Sequence, residues 1–309
     1  MFDPNKIKTG VTVTAPRIVL IGVEGVGKTT AGAQCDAPIF LSAEDGLVGK
    51  GYENIPHYTP ETWEDVLNFL TFLKDENHGY KSLIIDTIDW LEPLLQKAII
   101  RMYSPTKDGI PTYKSIEDFG YGKGYTISAE EFRKALVLLD GIHRKGILVM
   151  INAHCQIKVF NNPLGDNYDR YEPKTTKQIA GMIKEWADVV LFANYETLTV
   201  KEKGSKAKGV GGQTRIVQTQ HSAGWDAKNR YGLPAVMPLD MPTILDAMTS
   251  GDPDKPENII AEINELLPLL DAEKQKATMD YVAKNGTNSL KLSQMLNKIR
   301  TLTVGKEAA

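Results

Sequence analysis

Cysteine is nearly missing from this chain: Cys35 and Cys155 stand far apart in 309 residues, too few for a disulfide framework. That scarcity leads us to expect a reducing, cytosolic setting. Five histidines and the two cysteines nowhere fall at metal-ligand spacing, so neither a zinc centre nor a thiol nucleophile is expected. No apolar run approaches the ~20 residues that cross a bilayer, and the start MFDPNKIK lacks the apolar core of a secretion signal. No membrane association is therefore expected. Basic charge is not in excess either. Lys and Arg number 36 against 39 Asp and Glu, a net charge of −3, which excludes a uniformly basic nucleic-acid coat and confines polyanion contacts to local patches. The GxSxG motif of nucleophile-elbow hydrolases is absent, and no internal repeat is visible.

What is present is an alternation. Short β-branched runs at 17–22, 38–43, 82–86, 147–153 and 188–194 are apolar on both faces, and helix-length amphipathic stretches at 28–35, 61–74, 90–103, 128–145 and 176–187 separate them. This is the pattern of an α/β fold with a mostly parallel sheet covered on both sides. The segment after residue 194 reads as two alternating strands around the Lys/Gly tip KEKGSKAKG (201–209). Pro, Gly and Asp collect at 250–257, the expected linker between a core at 17–249 and a small helical domain at 258–309 with a frayed tail; residues 1–16 form an N-terminal arm.

The stretch from Gly22 to Thr29 (Gly22, Val23, Glu24, Gly25, Val26, Gly27, Lys28, Thr29) matches GxxxxGK[ST], with a strand before it and a helix after it, and Thr30 follows. Bare glycine backbone lets successive N–H groups approach a polyphosphate, and the helix adds its positive end. Lys28 is placed to reach the β- and γ-phosphates, and the Thr29 hydroxyl to ligate Mg²⁺. ATP with Mg²⁺ is the expected ligand. Asp86, closing the strand SLIID, is the second magnesium candidate; capping the next helix is its other reading, and Asp89 is the weaker candidate.

No Asn-Lys-x-Asp guanine reader occurs, and Thr87 stands where AAA+ machines usually carry a glutamate after the magnesium aspartate. A carboxylate just past the second strand, Glu44 in FLSAEDG, resembles the water-polarising glutamate of the RecA family, whose phosphate loop, glutamate and strand aspartate come in this order. Asp45 is the nearby alternative, and an exposed acidic turn the bland one. The chain is similar to RecA-like P-loop NTPases, and most closely resembles phage-encoded Sak-type ATPases of single-strand annealing and recombination, over about residues 15–240. That resemblance implies a γ-phosphate sensor at His154, where RecA has glutamine. It also implies that Lys228 and Arg230 in WDAKNRYGLP enter a neighbour's nucleotide site, so that the working form is a ring or filament. A satisfied strand-end histidine and an intrachain salt bridge are the structural alternatives.

Two long connections, 103–128 and 155–178, interleave aromatics with cations: Tyr113, Lys114, Tyr121 and Lys123 in one, Lys158, Tyr168, Arg170, Tyr171 and Lys174 in the other. Such mixtures suit single-stranded DNA, where bases stack on rings and cations follow phosphates. Local packing of the tyrosines with solvated lysines is the plainer reading, and the family resemblance favours DNA. The leading expectation is an ATP-hydrolysing, RecA-like protein that binds single-stranded DNA and promotes recombination or annealing, in the host cytoplasm if phage-encoded. A protein partner, such as a single-strand-binding protein, would dock on the C-terminal helices. The alternative is a nucleotide-dependent assembly or loading factor acting on protein partners through those helices.

Overall fold

β-Branched runs favour extended backbone, and runs apolar on both faces are driven into a sheet with helices on either side. A computed structural model shows this arrangement and describes residues 15–44, 46–47, 51–200, 208–250, 256–286 and 288–303. The N-terminal arm up to residue 14, Asp45, most of the Lys-rich tip, most of the 250–257 linker and the end of the tail lie outside the described residues.

The chain runs through β1 (Arg17–Gly22), α1 (Lys28–Ala33), β2 (Pro38–Ser42), β3 (His57–Tyr58), α2 (Trp63–Asp75), β4 (Ser82–Asp86) and α3 (Ile88–Tyr103). A small hairpin, β5 (Thr106–Lys107) and β6 (Ile110–Pro111), precedes α4 (Lys123–Arg144). Then come β7 (Leu148–Phe160), β8 (Tyr168–Pro173), α5 (Lys177–Trp186), β9 (Val189–Val200), β10 (Lys208–Gln218), β11 (Lys228–Asn229) and β12 (Val236–Pro238). The sheet order is β12-β10-β9-β1-β7-β4-β2-β3, with β11 on β9 and β8 on β7. Strands β9 through β3 in that order are parallel, and β10, β12, β11 and β8 pair antiparallel.

The parallel register brings chemistry to one edge. Gly22 at the end of β1 lies opposite His154 of β7, and Ser42 of β2 lies opposite Asp86 of β4. Behind that edge the core is continuous: Val19, Leu41, Leu83, Ile85, Val149 and Ile151 of the strands pack with Leu70 of α2, Leu95 of α3, Leu139 of α4 and Ile183 of α5. Helix α2 starts on a capping box in which the Thr62 hydroxyl accepts from the Asp65 N–H and the Asp65 carboxylate accepts from the Thr62 N–H.

Two elements differ from the sequence expectation. Strand β7 does not stop at residue 153 but continues to Phe160, because Cys155 to Phe160 pair antiparallel with Pro173 to Tyr168. The second long connection is thus a β-hairpin rather than an irregular loop. Helix α4 begins at Lys123 rather than 128, its first turn packed so closely on the preceding 3-10 turn that a Cβ on Gly124 would meet the Ile116 carbonyl at 2.1 Å.

The chain divides into two compact units, residues 1–230 with 234–242 and residues 231–233 with 243–309. The second contains most of α6 (Met241–Ser250), then α7 (Pro256–Leu266), α8 (Ala272–Asn285) and α9 (Ser289–Thr303). Ile259, Ile263, Leu270, Leu292, Leu296 and Ile299 form a core there, and Arg300 pairs with Glu262. No helix among the described residues is long and apolar enough to cross a membrane.

Helix α1 packs on the sheet through Gly32, where a Cβ would stand 2.7 Å from Ile84 Cγ2 and 3.1 Å from Phe40 Cζ. Alanine there gains ~1 kcal/mol of helix propensity, but overpacking a close-fitted core costs ~1 to 3 kcal/mol. We expect Gly32→Ala to lower the thermal midpoint by several degrees; a midpoint at or above wild type contradicts the close packing.

Candidate nucleotide site

The loop between β1 and α1 cannot carry side chains where it turns. Gly25 and Gly27 have φ of 70° and 103°, a region costly for residues with a Cβ. The Val23 N–H donates to the Ala193 carbonyl and the Tyr195 hydroxyl to the Gly25 carbonyl, so β9 holds the loop from one side. On the other side the hydroxyls of Thr30 and Tyr52 lie 2.7 Å apart. Together they frame a cavity of about 300 Å³ lined by Gly27, Lys28, Thr29, Glu44, Asp86 and His154 among others.

Lys28 is 6% exposed and its ammonium donates to the Gly22 and Val23 carbonyls at 3.2 and 3.1 Å. Burial lowers its pKa, and Asp86 and Asp89 pull in the opposite direction without cancelling the shift. A buried cation bonded to carbonyls on a glycine loop is a site prepared for an anion.

Asp86, 2% exposed, is held from a helix and a neighbouring strand. Thr29 Oγ1 donates to its Oδ2 at 2.7 Å and Asn152 Nδ2 to its Oδ1 at 3.0 Å. Gly46 lies against the same corner, where a Cβ would be 3.4 Å from Thr29 Oγ1 and 3.6 Å from Asp86 Oδ2. A hydroxyl and one carboxylate in a space kept clear of side chains fit Mg²⁺, which takes one or two protein oxygens and completes its shell with phosphate and water. Among the described residues no cluster of three or more His, Cys, Asp or Glu suits a metal held by protein alone.

His154 joins the remaining carboxylates. Its backbone N–H donates to Asp89 Oδ1 and its Nδ1 lies 2.9 Å from Asp89 Oδ2. An ionised carboxylate only accepts, so Nδ1 carries the proton, and Nε2 faces Glu44 Oε2 at 4.0 Å. Burial raises the Asp89 pKa, but the side-chain and backbone bonds from His154 outweigh it and hold Asp89 below its ordinary value. Glu44 itself is 34% exposed at its side chain, in a turn fixed by the Ser42 hydroxyl and the Gly46 N–H, which both donate to its carbonyl.

The other predicted residues lie elsewhere. Lys228 Nζ donates to the carbonyls of Lys184, Glu185 and Ala187 at the end of α5, and Arg230 pairs with Asp188. Both sit at the start of β9, the edge opposite the phosphate loop, and the chain does not bring them to its own cavity. A wider cavity of about 480 Å³ beside them is lined by Lys184, Asp226 and Lys228, whose charges are engaged within the chain.

Of the candidates for nucleic acid, Lys158 and Lys174 are exposed on the β7–β8 hairpin, and Tyr168 packs on Phe160. Arg170 is buried, pairs with Asp226 and lies over the Phe160 ring at 5.2 Å; Tyr171 packs on Phe192. In the first connection Lys114, Tyr121 and Lys123 are exposed, while Tyr113 meets Phe119 edge-on. The sequence reading passed over Asn152 and Tyr195. Asn152 had a signal, being the lone amide in the apolar run ILVMINA.

Residues 14–231 match a family model described as an AAA domain, so the chain belongs to the AAA domain family. With an intact phosphate loop it is a P-loop ATPase, and Thr87 after Asp86 does not take it outside that family. No curated protein matches it. A solved structure described as the RadB recombinase is 12% identical over 72% of this chain and 86% of that one, with a TM-score of 0.40. At that distance the likeness carries no argument about activity.

Removing the Asn152 donor frees one oxygen of Asp86. Asn152→Leu should keep the fold and raise the Mg²⁺ concentration for half-maximal ATPase several-fold; an unchanged Mg²⁺ dependence contradicts the positioning of Asp86 by this amide.

Proposed function

We propose that this AAA domain protein is a RecA-like, Sak-type ATPase that binds ATP with Mg²⁺ on the 22–30 loop, binds single-stranded DNA and acts in recombination or annealing. The observation that carries the nucleotide reading is Lys28: a buried ammonium with depressed pKa, bonded to loop carbonyls, beside a hydroxyl–carboxylate corner kept clear by Gly46. Lys28 binds the β- and γ-phosphates, and Thr29 and Asp86 hold the metal. Mg²⁺ supplies Lewis-acid neutralisation of the phosphate oxygens. Glu44, which lines the same cavity, orients and deprotonates the attacking water, and His154, anchored on Asp89, senses the γ-phosphate.

DNA is proposed to follow the exposed cations and rings of the two projecting segments: Lys114, Tyr121 and Lys123 on one, Lys158, Tyr168 and Lys174 on the other. Arg170 and Tyr171 serve the hairpin's own packing. An oligomer is proposed in which Arg230, 57% exposed at its side chain, reaches a neighbour's nucleotide, whereas Lys228 is held at the end of α5. The C-terminal helices are proposed to carry a protein partner.

Two expectations test the chemistry. Lys28→Ala should abolish nucleotide binding, while Glu44→Gln should retain it and slow turnover ~10²-fold to 10⁴-fold; a wild-type rate in the second moves the base elsewhere.

ATPase and gel shifts measured with and without labelled single-stranded DNA, across protein concentration, test the rest. ATP should promote the shift at low salt, rate per chain should rise with protein concentration, and Arg230→Ala should flatten that rise. Lys158→Ala should weaken DNA binding and reduce the salt slope by about one. No ATP-dependent shift refutes the DNA reading.

A further inference from the structure

A second cation stands over the phosphate loop without any motif to announce it. Arg215 of β10 is paired directly across from Tyr195 of β9, and cross-strand partners project from the same face of a sheet. That face meets the loop, since the Tyr195 hydroxyl donates to the Gly25 carbonyl at 2.8 Å. The register of β9 and β10 breaks between Gly211 and Arg215, an irregularity of the kind that re-aims a side chain. Arg215 Nη1 lies 2.9 Å from the point a Cβ on Gly27 would occupy, immediately before Lys28. Among the described residues no carboxylate pairs with this guanidinium. Its charge is permanent and its fork matches phosphate oxygens, which a triphosphate offers in excess of what one ammonium neutralises.

We infer that Arg215 contacts the polyphosphate of the loop-bound nucleotide, as a second side-chain cation delivered in the same chain by the β9–β10 hairpin. The inference rests on the nucleotide reading above. The absent Cβ of Gly27 leaves the guanidinium its place, so the loop is cationic from two sides, with Lys28 on α1 and Arg215 on the sheet.

The test is calorimetric titration of the full chain with ATP, ADP and AMP. Arg215→Gln should weaken ATP binding ~10-fold to 100-fold, the range of a lost charge-assisted hydrogen bond, with a smaller loss for ADP and none for AMP. Arg215→Lys keeps the charge without the fork and should recover part of the loss. Equal ATP affinity in wild type and Arg215→Gln overturns the inference and leaves the nucleotide site standing. Equal losses for ATP and AMP place Arg215 away from the phosphates and overturn it as well. If wild type binds no ATP, the nucleotide reading itself falls, and this inference with it. Should Arg215→Gln fail to fold, Arg215→Lys decides: weaker ATP binding with unchanged AMP binding supports the contact, and unchanged ATP binding removes it.

Discussion

An ammonium group held almost out of solvent, with two peptide carbonyls for hydrogen-bond partners, is the constraint around which this edge of the sheet is organised. Moving a charge from water into protein costs several kcal/mol unless an opposite charge and hydrogen bonds offset it. The Lys28 pKa falls for that reason, and Asp86 and Asp89 offset the cost in part. Folding places the lysine there because β1 ends at Gly22 and the chain must turn through two positive-φ glycines before α1 can begin.

The rest of the site follows from strand adjacency. Because β4 lies beside β7 and β7 beside β1, the ends of β1 and β4 and the middle of β7 share one edge, where their polar side chains bond to neighbours. Asp86 is gripped by Thr29 and Asn152, and His154 by Asp89. Polar groups so deep in a sheet are tolerated because each has a partner, and the paired carboxylates can only accept, which fixes the tautomer of His154 and the direction of every bond. Exceptions at this edge are Asn152 Oδ1 and Thr87 Oγ1, both buried and without a hydrogen-bond partner.

The phosphate loop was legible because its signal is local: glycines, a lysine and a threonine at fixed spacing between a strand and a helix. The five strand runs were legible for a similar reason, since burial on both faces leaves an unbroken apolar string. What could not be read was anything set by register. Tyr195 reaches the loop because β9 outruns β1 by a few residues, and no window of sequence states that overhang. Arg170 illustrates the same limit. A mixture of tyrosines and cations marks a surface in composition alone, but strand pairing turned Arg170 toward Asp226, 56 residues on. The alternation in IKVF and YDRYE was a strand signal that length of connection obscured.

Strand β7 begins in the middle of the sheet, passes His154 and ends in the projecting hairpin without a break, and the Lys174 N–H returns to the His154 carbonyl on the opposite arm. The hairpin therefore has no pivot at its base. Its two arms and the backbone beside His154 form one unbroken hydrogen-bonded ladder that runs from the core of the sheet to the far end of the hairpin.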